Sequence, residues 1–172
     1  DFMSAGERTL LIDLRDKPGG DNSFSDHMIA WFADEPFRFT SDFRIRVSPE
    51  TTASNAARRT AGDEGSISAQ FSALYDGARN GDVVSFEIPY AEPRAGRRFT
   101  GRVLVLINRR SFSNAVNVAA IIQDYGFGQI LGEPTSDLAT TYGAMEQFSL
   151  PNTALMVGYP KAFILRPNGD TA

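Results

Sequence analysis

The sequence predicts an α/β fold, and three observations carry that prediction. Short apolar runs of buried-strand type occur at Arg8–Leu14 (RTLLIDL) and Gly101–Asn108 (GRVLVLIN). Each passes through a turn into a segment with apolar residues at helical spacing, the alternation expected of parallel strands joined by helices. The 172 residues are 42% hydrophobic and 22% charged, an ordinary globular composition. At this length folding buries roughly 70% of the unfolded surface, so one core suffices without a metal or disulfide staple.

The elements follow in order. Arg8–Leu14 is a strand that stops at Lys17-Pro18-Gly19-Gly20, a strong turn signal. Ser23–Asp34 places Met28, Ile29 and Phe32 at helical spacing, with Ser23 or Ser25 as the N-cap. Phe43–Val47 alternates apolar and basic residues, as a half-exposed strand does. Residues 49–65 (PETTASNAARRTAGDEG) are polar and aperiodic and read as a surface excursion. A second helix starts at about Ser66, with Ile67, Phe71, Leu74 and Ala78 on one face. Val83–Ile88 is a strand, and Pro89–Arg98 is a loop rich in Pro, Gly and Arg. Gly101–Asn108 gives the strongest strand signal in the chain. A third helix starts at about Ser113, buries Ala115, Val118, Ala119 and Ile122, and ends at Gly126. Gln129–Leu131 is a short strand before Gly132-Glu133-Pro134-Thr135. Further strands are expected at Glu146–Leu150, Ala154–Val157 and Phe163–Leu165.

Composition removes several function classes. Seventeen Lys and Arg against 21 Asp and Glu give a net charge of −4, without the basic footprint that nucleic acid or an anionic membrane requires. The absence of cysteine excludes disulfides, zinc ribbons, iron–sulfur clusters and thiol catalysis. A single histidine, His27, excludes a multi-histidine metal site. No metal or cofactor is called for. No apolar run reaches the length of a membrane span.

Two strand–turn–helix junctions can carry chemistry. In LIDLRDKPGGDNSFSD, consecutive glycines let backbone approach a ligand closely and aim N–H groups at an anion. Taken alone, Pro-Gly-Gly is an ordinary turn. In VLVLINRRSFSNAVNVAA, a serine at a helix start follows a buried strand, where the helix dipole and terminal N–H groups stabilise an oxyanion. Taken alone, that serine is simply a favoured N-cap. The segment is not a Gly-x-Ser-x-Gly elbow.

Together the junctions resemble the tail-specific, or C-terminal processing, serine peptidases, the family that includes the tricorn core and the interphotoreceptor retinoid-binding modules. LIDLRDKPGG resembles that family's segment of strand and Pro-Gly-Gly turn. INRRSFSNAVNVAAIIQDYGFGQILGEPT resembles its nucleophile helix and Gly-Glu-x-Thr turn, and FSLPNTALMVGYP its closing strands. The resemblance runs from about Leu10 to Pro160, with a divergent middle from Arg38 to Gly101. It implies a crotonase/Clp-protease-like spiral with a mixed, mainly parallel sheet flanked by helices. It also implies that Ser113 is the nucleophile, with Ser111 a weaker rival. The backbone N–H groups of Asn114 and of Gly19 or Gly20 would form the oxyanion hole. The substrate would be an extended peptide, an unfolded protein or a protein C-terminus; an oligomer is compatible with this, and the location would be periplasmic or secreted.

The resemblance offers two general bases. One is a lysine about 25 positions after the serine, where this chain has Leu138. Lys161 is the only later lysine and lies in the wrong segment. The other is a Ser-His pair from ahead of the Pro-Gly-Gly strand with a Glu from beyond the last strands. Neither region is in this chain, which reads as one peptidase core domain over 1–172, truncated at both ends. Alone it is expected to show little or no peptidase activity. His27 reads as a surface or capping residue. Asp13 and Arg15 read as a mutual pair or backbone caps, and Glu133 as a partner of the turn amides. Two rival readings share the architecture. One is a non-catalytic member that binds a peptide or small apolar ligand. The other is an unrelated enzyme of the wider spiral fold, disfavoured by the serine at the helix start and the Gly-Glu-x-Thr turn.

Overall fold

A computed structural model describes residues 6–20, 22–59 and 64–171. The elements run β1 (Thr9–Asp13), α1 (Asn22–Ile29), β2 (Asp42–Arg46), α2 (Pro49–Arg58), α3 (Ile67–Asp76), β3 (Val83–Phe86), β4 (Arg102–Ile107), α4 (Asn114–Asp124), β5 (Gln129–Gly132), β6 (Thr141–Ser149) and β7 (Met156–Leu165). They form an α/β fold with one parallel and one antiparallel sheet, divided between two compact units.

The first unit comprises Asp1–Ser41, Ile88–Thr141 and Leu165–Ala172. Its sheet has the order β1-β4-β5, with parallel pairing in register Leu11↔Leu104 and Val105↔Ile130. The apolar runs that predicted buried strands supply its core. Ile12, Val103 and Val105 pack with Ile29, Phe32, Phe37 and Phe99, and with Val118, Ile121 and Ile122 of α4. Helix α4 buries all four residues expected of it and also Val116, Ala120 and Ile121, so it is enclosed on most sides. Gly126, at φ +73, supplies the left-handed residue that ends it.

The second unit comprises Asp42–Glu87 and Tyr142–Ile164. Its four-stranded sheet has the order β3-β2-β7-β6, antiparallel between β2 and β3. The alternation in β2 buries Phe43 and Ile45 and exposes Arg44 and Arg46. Phe71 joins the sheet to α3, stacking on Phe43 and Tyr75 and meeting Phe86 edge-on at 4.5 Å.

Several expectations are corrected here. Residues 49–58 are a helix, not a surface excursion. Ser48 caps it by accepting the Thr51 N–H at 3.1 Å, and Pro49 stands in the first turn, where its missing donor costs nothing. The small polar residues of α2 conceal a buried side, Thr51 and Asn55, with Asn55 donating to the Ser68 carbonyl and Ser72 Oγ. Residues 60–63 of that expected excursion lie outside the described residues. Helix α3 starts where expected, with Ser66 as its cap, but its buried residues are Phe71 and Tyr75, while Ile67 is exposed. Helix α1 starts at Asn22 and is shorter than expected, so Ser25 falls inside it and is no cap. The strands expected at 154–157 and 163–165 are one strand, β7. Pro160 sits within it because a fixed φ near −65° is compatible with extended backbone at the loss of one donor.

Candidate active site

The site begins where β1 and β4 end side by side. Their parallel pairing puts both following turns at the same end of the sheet. Hydrogen bonds then lock the turns together. The Leu14 N–H donates to the Leu106 carbonyl at 2.9 Å, and the Phe112 N–H donates to the Lys17 carbonyl at 2.9 Å. The Asp16 N–H reaches Asn108 Oδ1 at 3.2 Å, Asn108 Nδ2 returns to Asp16 Oδ1 at 3.0 Å, and Arg110 Nε pairs with Asp16 at 2.7 Å.

Ser111 is fully buried between these turns. Its Oγ donates to the Leu14 carbonyl at 2.8 Å and accepts the Asn108 N–H at 3.1 Å. A hydroxyl held this way fastens two loops and has no approach for a substrate. Ser113 differs. It precedes α4 at φ 55° and ψ −120°, a conformation that residues with a β-carbon rarely adopt, and its side chain makes no capping hydrogen bond. The turn glycine comes against it. A β-carbon built on Gly19 would fall 2.6 Å from Ser113 Cβ and 3.1 Å from Ser113 Oγ. Gly19 is at φ +103°, so both the fold and the contact demand glycine there. Ser113 and the Pro-Gly-Gly turn are therefore neighbours. Ser25 Oγ of α1 lies 3.4 Å from Asn114 Oδ1, the first residue of α4.

A third segment closes the site. Gly132, at φ +114°, packs so tightly on Ile107 that a β-carbon would overlap its carbonyl oxygen. The loop beyond it is attached at the Ile107 carbonyl by the Glu133 N–H at 3.2 Å, and at the Arg109 carbonyl by Ser136 Oγ at 2.5 Å. Asp137 Oδ2 accepts the backbone N–H of Ser113 at 2.8 Å. A cavity of about 450 Å³ lies beside this loop, lined by Val116, Ala119 and Ala120 of α4, Ile130 and Leu131 of β5, and Pro134 and Leu138.

The remaining candidates have other partners or lie exposed. Asp13 and Arg15 form a bidentate pair at 2.9 and 2.7 Å, and the Arg15 hydrogen bonds hold the Asp13 carboxyl down at about 2. Glu133 faces Arg109 at 3.8 Å rather than turn amides. His27 is exposed on α1. Leu138, at the lysine position of the resemblance, is 59% exposed. Lys161 is buried in the second unit, where its ammonium pairs with Glu146 at 2.8 Å. Burial alone would raise the Glu146 carboxyl, but hydrogen bonds from Arg58, Lys161 and Ser54 outweigh it and hold it at about 2. Among the described residues, no helix is long and apolar enough to cross a membrane.

Sequence reasoning passed over Asp137. The family spacing directed attention to Leu138, and nothing local distinguishes Ser136-Asp137 from a solvated loop.

The model of peptidase family S41 matches residues 1–172. The chain belongs to this family. Solved structures with the same fold include mature CPAF, at TM-score 0.74 and 16% identity, over 98% of this chain and 38% of that one. Mature CPAF complexed with lactacystin aligns at TM-score 0.71 and 16% identity, over 98% and 38%. The photosystem II D1 C-terminal processing protease aligns at TM-score 0.53 and 17% identity, over 98% and 32%. The S41 chain thus spans less than two fifths of the length of these structures. No curated protein matches it.

Proposed function

We propose that these residues form the nucleophile-bearing part of a serine peptidase that cleaves extended peptides or protein C-termini. The observation that carries the reading is the approach of Gly19 to Ser113, which brings the Pro-Gly-Gly turn against a serine whose hydroxyl makes no capping hydrogen bond. In the reaction, Ser113 Oγ attacks the scissile carbonyl carbon as a general base takes its proton. The oxyanion then accepts hydrogen bonds from the N–H of Asn114 and of Gly19 or Gly20. Collapse of the tetrahedral intermediate expels the amine, which takes the proton. Water then hydrolyses the acyl-enzyme.

The general base lies beyond these residues in this reading, because His27 is exposed on α1 and Lys161 is committed to Glu146. The 172 residues alone are accordingly inactive, and activity belongs to the complete gene product. The family reading also favours a periplasmic or secreted location, which fractionation of the source cell tests.

The deciding experiment compares wild-type complete protein with Ser113→Ala. Loss of both hydrolysis of an unfolded protein and covalent labelling by a serine-directed fluorophosphonate supports the reading. Full turnover by the variant overturns it. One observation favours a second reading: exposed Leu138 occupies the lysine position. A non-catalytic peptide-binding protein would show no turnover in either form and peptide binding indifferent to the substitution.

A further inference from the structure

We propose that Asp137 is the positioning residue for Ser113, acting through the backbone of the nucleophile. This rests on the peptidase reading above. Three observations carry it. Asp137 Oδ2 accepts the Ser113 N–H at 2.8 Å, across 24 positions of sequence. Ser113 stands at φ 55° and ψ −120°, a strained conformation that persists only where surrounding contacts over-determine it. Asp137 is itself fixed. Its Oδ1 accepts the Leu138 N–H at 3.0 Å, its carbonyl accepts Thr135 Oγ1 at 2.7 Å, and Ser136 ties the same loop to the Arg109 carbonyl.

The N–H of Ser113 points toward the loop that follows β5, and the carboxylate there engages it. That direction has a chemical consequence. With this N–H engaged by Asp137, the oxyanion donors are left to Asn114 and to the Pro-Gly-Gly turn. The carboxylate thus holds the main chain at its N–H, while Gly19 crowds the Ser113 side chain. Rotation of the Ser113 peptide would carry Oγ away from the attack position. The same bond holds a negative charge close to a site that must develop another, so the useful property of Asp137 is its acceptor geometry and not its charge.

The test uses the complete protein in wild-type, Asp137→Ala and Asp137→Asn forms, with kinetics normalised to folded protein. An amide oxygen preserves the acceptor without the charge. Asp137→Ala is expected to lower kcat by about 10- to 100-fold with KM changed by less than about twofold, the size of one hydrogen bond to a charged group. Asp137→Asn is expected to stay within about fivefold of wild type. The amide proton of Ser113 supplies a readout independent of turnover: it should be deshielded in wild type and Asn, and move upfield in Ala. Equal turnover in Ala and wild type overturns the proposal, as does an Asn variant as impaired as Ala, or an amide resonance indifferent to the substitutions. A wild-type protein that neither turns over nor labels at Ser113, with the amide response intact, overturns the peptidase reading and the catalytic role of the clamp, while the clamp itself is upheld.

Discussion

The backbone of Gly19 lies so close to Ser113 that a β-carbon on the glycine would stand 2.6 Å from that of the serine. Real β-carbons do not approach so closely, and neither loop is free to yield. The Phe112 N–H is bonded to the Lys17 carbonyl, and Ser111 joins the Leu14 carbonyl to the Asn108 N–H. Gly19→Ala therefore combines a steric overlap with an unfavourable φ of +103°. We expect it to cost about 3 kcal/mol in stability. In the complete protein it should lower turnover by about 100-fold, because displacement near 1 Å at a nucleophile has that effect. Thermal melts and peptide hydrolysis check both. A variant matching wild type in both would separate the Pro-Gly-Gly turn from the site.

Ser113 is strained where it stands, and this separates stability from activity at one position. Its hydroxyl makes no capping bond, so Ser113→Ala should melt within about 0.5 kcal/mol of wild type. Ser113→Gly removes the β-carbon that disfavours φ 55° and should be more stable by about 0.5–1 kcal/mol, after allowing for the greater freedom of glycine in the unfolded chain. Both variants should lose turnover. A glycine variant that is less stable than the alanine variant would show that the conformation carries no strain.

The sequence made this centre partly legible, and the reasons are physical. Strong local signals survive folding unchanged. The continuous apolar runs became β1 and β4, and the helix after Ser113 buried the residues its spacing predicted. Pro-Gly-Gly and the serine were each ambiguous alone, and only their juxtaposition by a parallel pair of strands relates them. What stayed hidden depends on long-range partners. Helix α2 has few apolar residues because its buried positions are Thr51 and Asn55, satisfied by hydrogen bonds instead of by hydrophobic contact. The strands read as separate at 154–157 and 163–165 are continuous because Pro160 tolerates extended backbone. The role of Asp137 rests on a contact to a backbone N–H across 24 positions, which leaves no periodic trace.

Ser111 should behave as a fastening and not as a second nucleophile. Ser111→Ala leaves the Asn108 N–H and the Leu14 carbonyl without their buried partner, at a cost of about 1–3 kcal/mol. The melt should fall accordingly. Covalent labelling of Ser113 should persist in the folded fraction of the complete protein. Disappearance of labelling with no loss of stability would instead point to Ser111 as the reacting serine.

The cluster around Glu146 should give the second unit a distinct acid dependence. Glu146 is 6% exposed and receives hydrogen bonds from Arg58, Lys161 and Ser54, while Lys161 is 8% exposed. These bonds favour the charged carboxylate more than burial opposes it, and its folded value lies at about 2 against 4.5 for the free group. A carboxyl lowered on folding binds its proton more weakly in the folded state, so the unfolded state takes up protons first as acid is added. The stabilisation is complete above about pH 5 and is lost as the pH falls toward about 2. Glu146→Gln leaves the Lys161 ammonium buried without its counter-charge. At neutral pH this should cost about 3–5 kcal/mol, the usual consequence of removing one partner of a buried ion pair. The difference between wild type and variant should narrow progressively between about pH 5 and pH 2, because the wild-type carboxyl is then neutralised as well. Denaturant melts of both proteins across that range provide the measurement. A gap that stays constant with pH would mean that the Glu146 charge contributes nothing and that the cluster is held by packing alone.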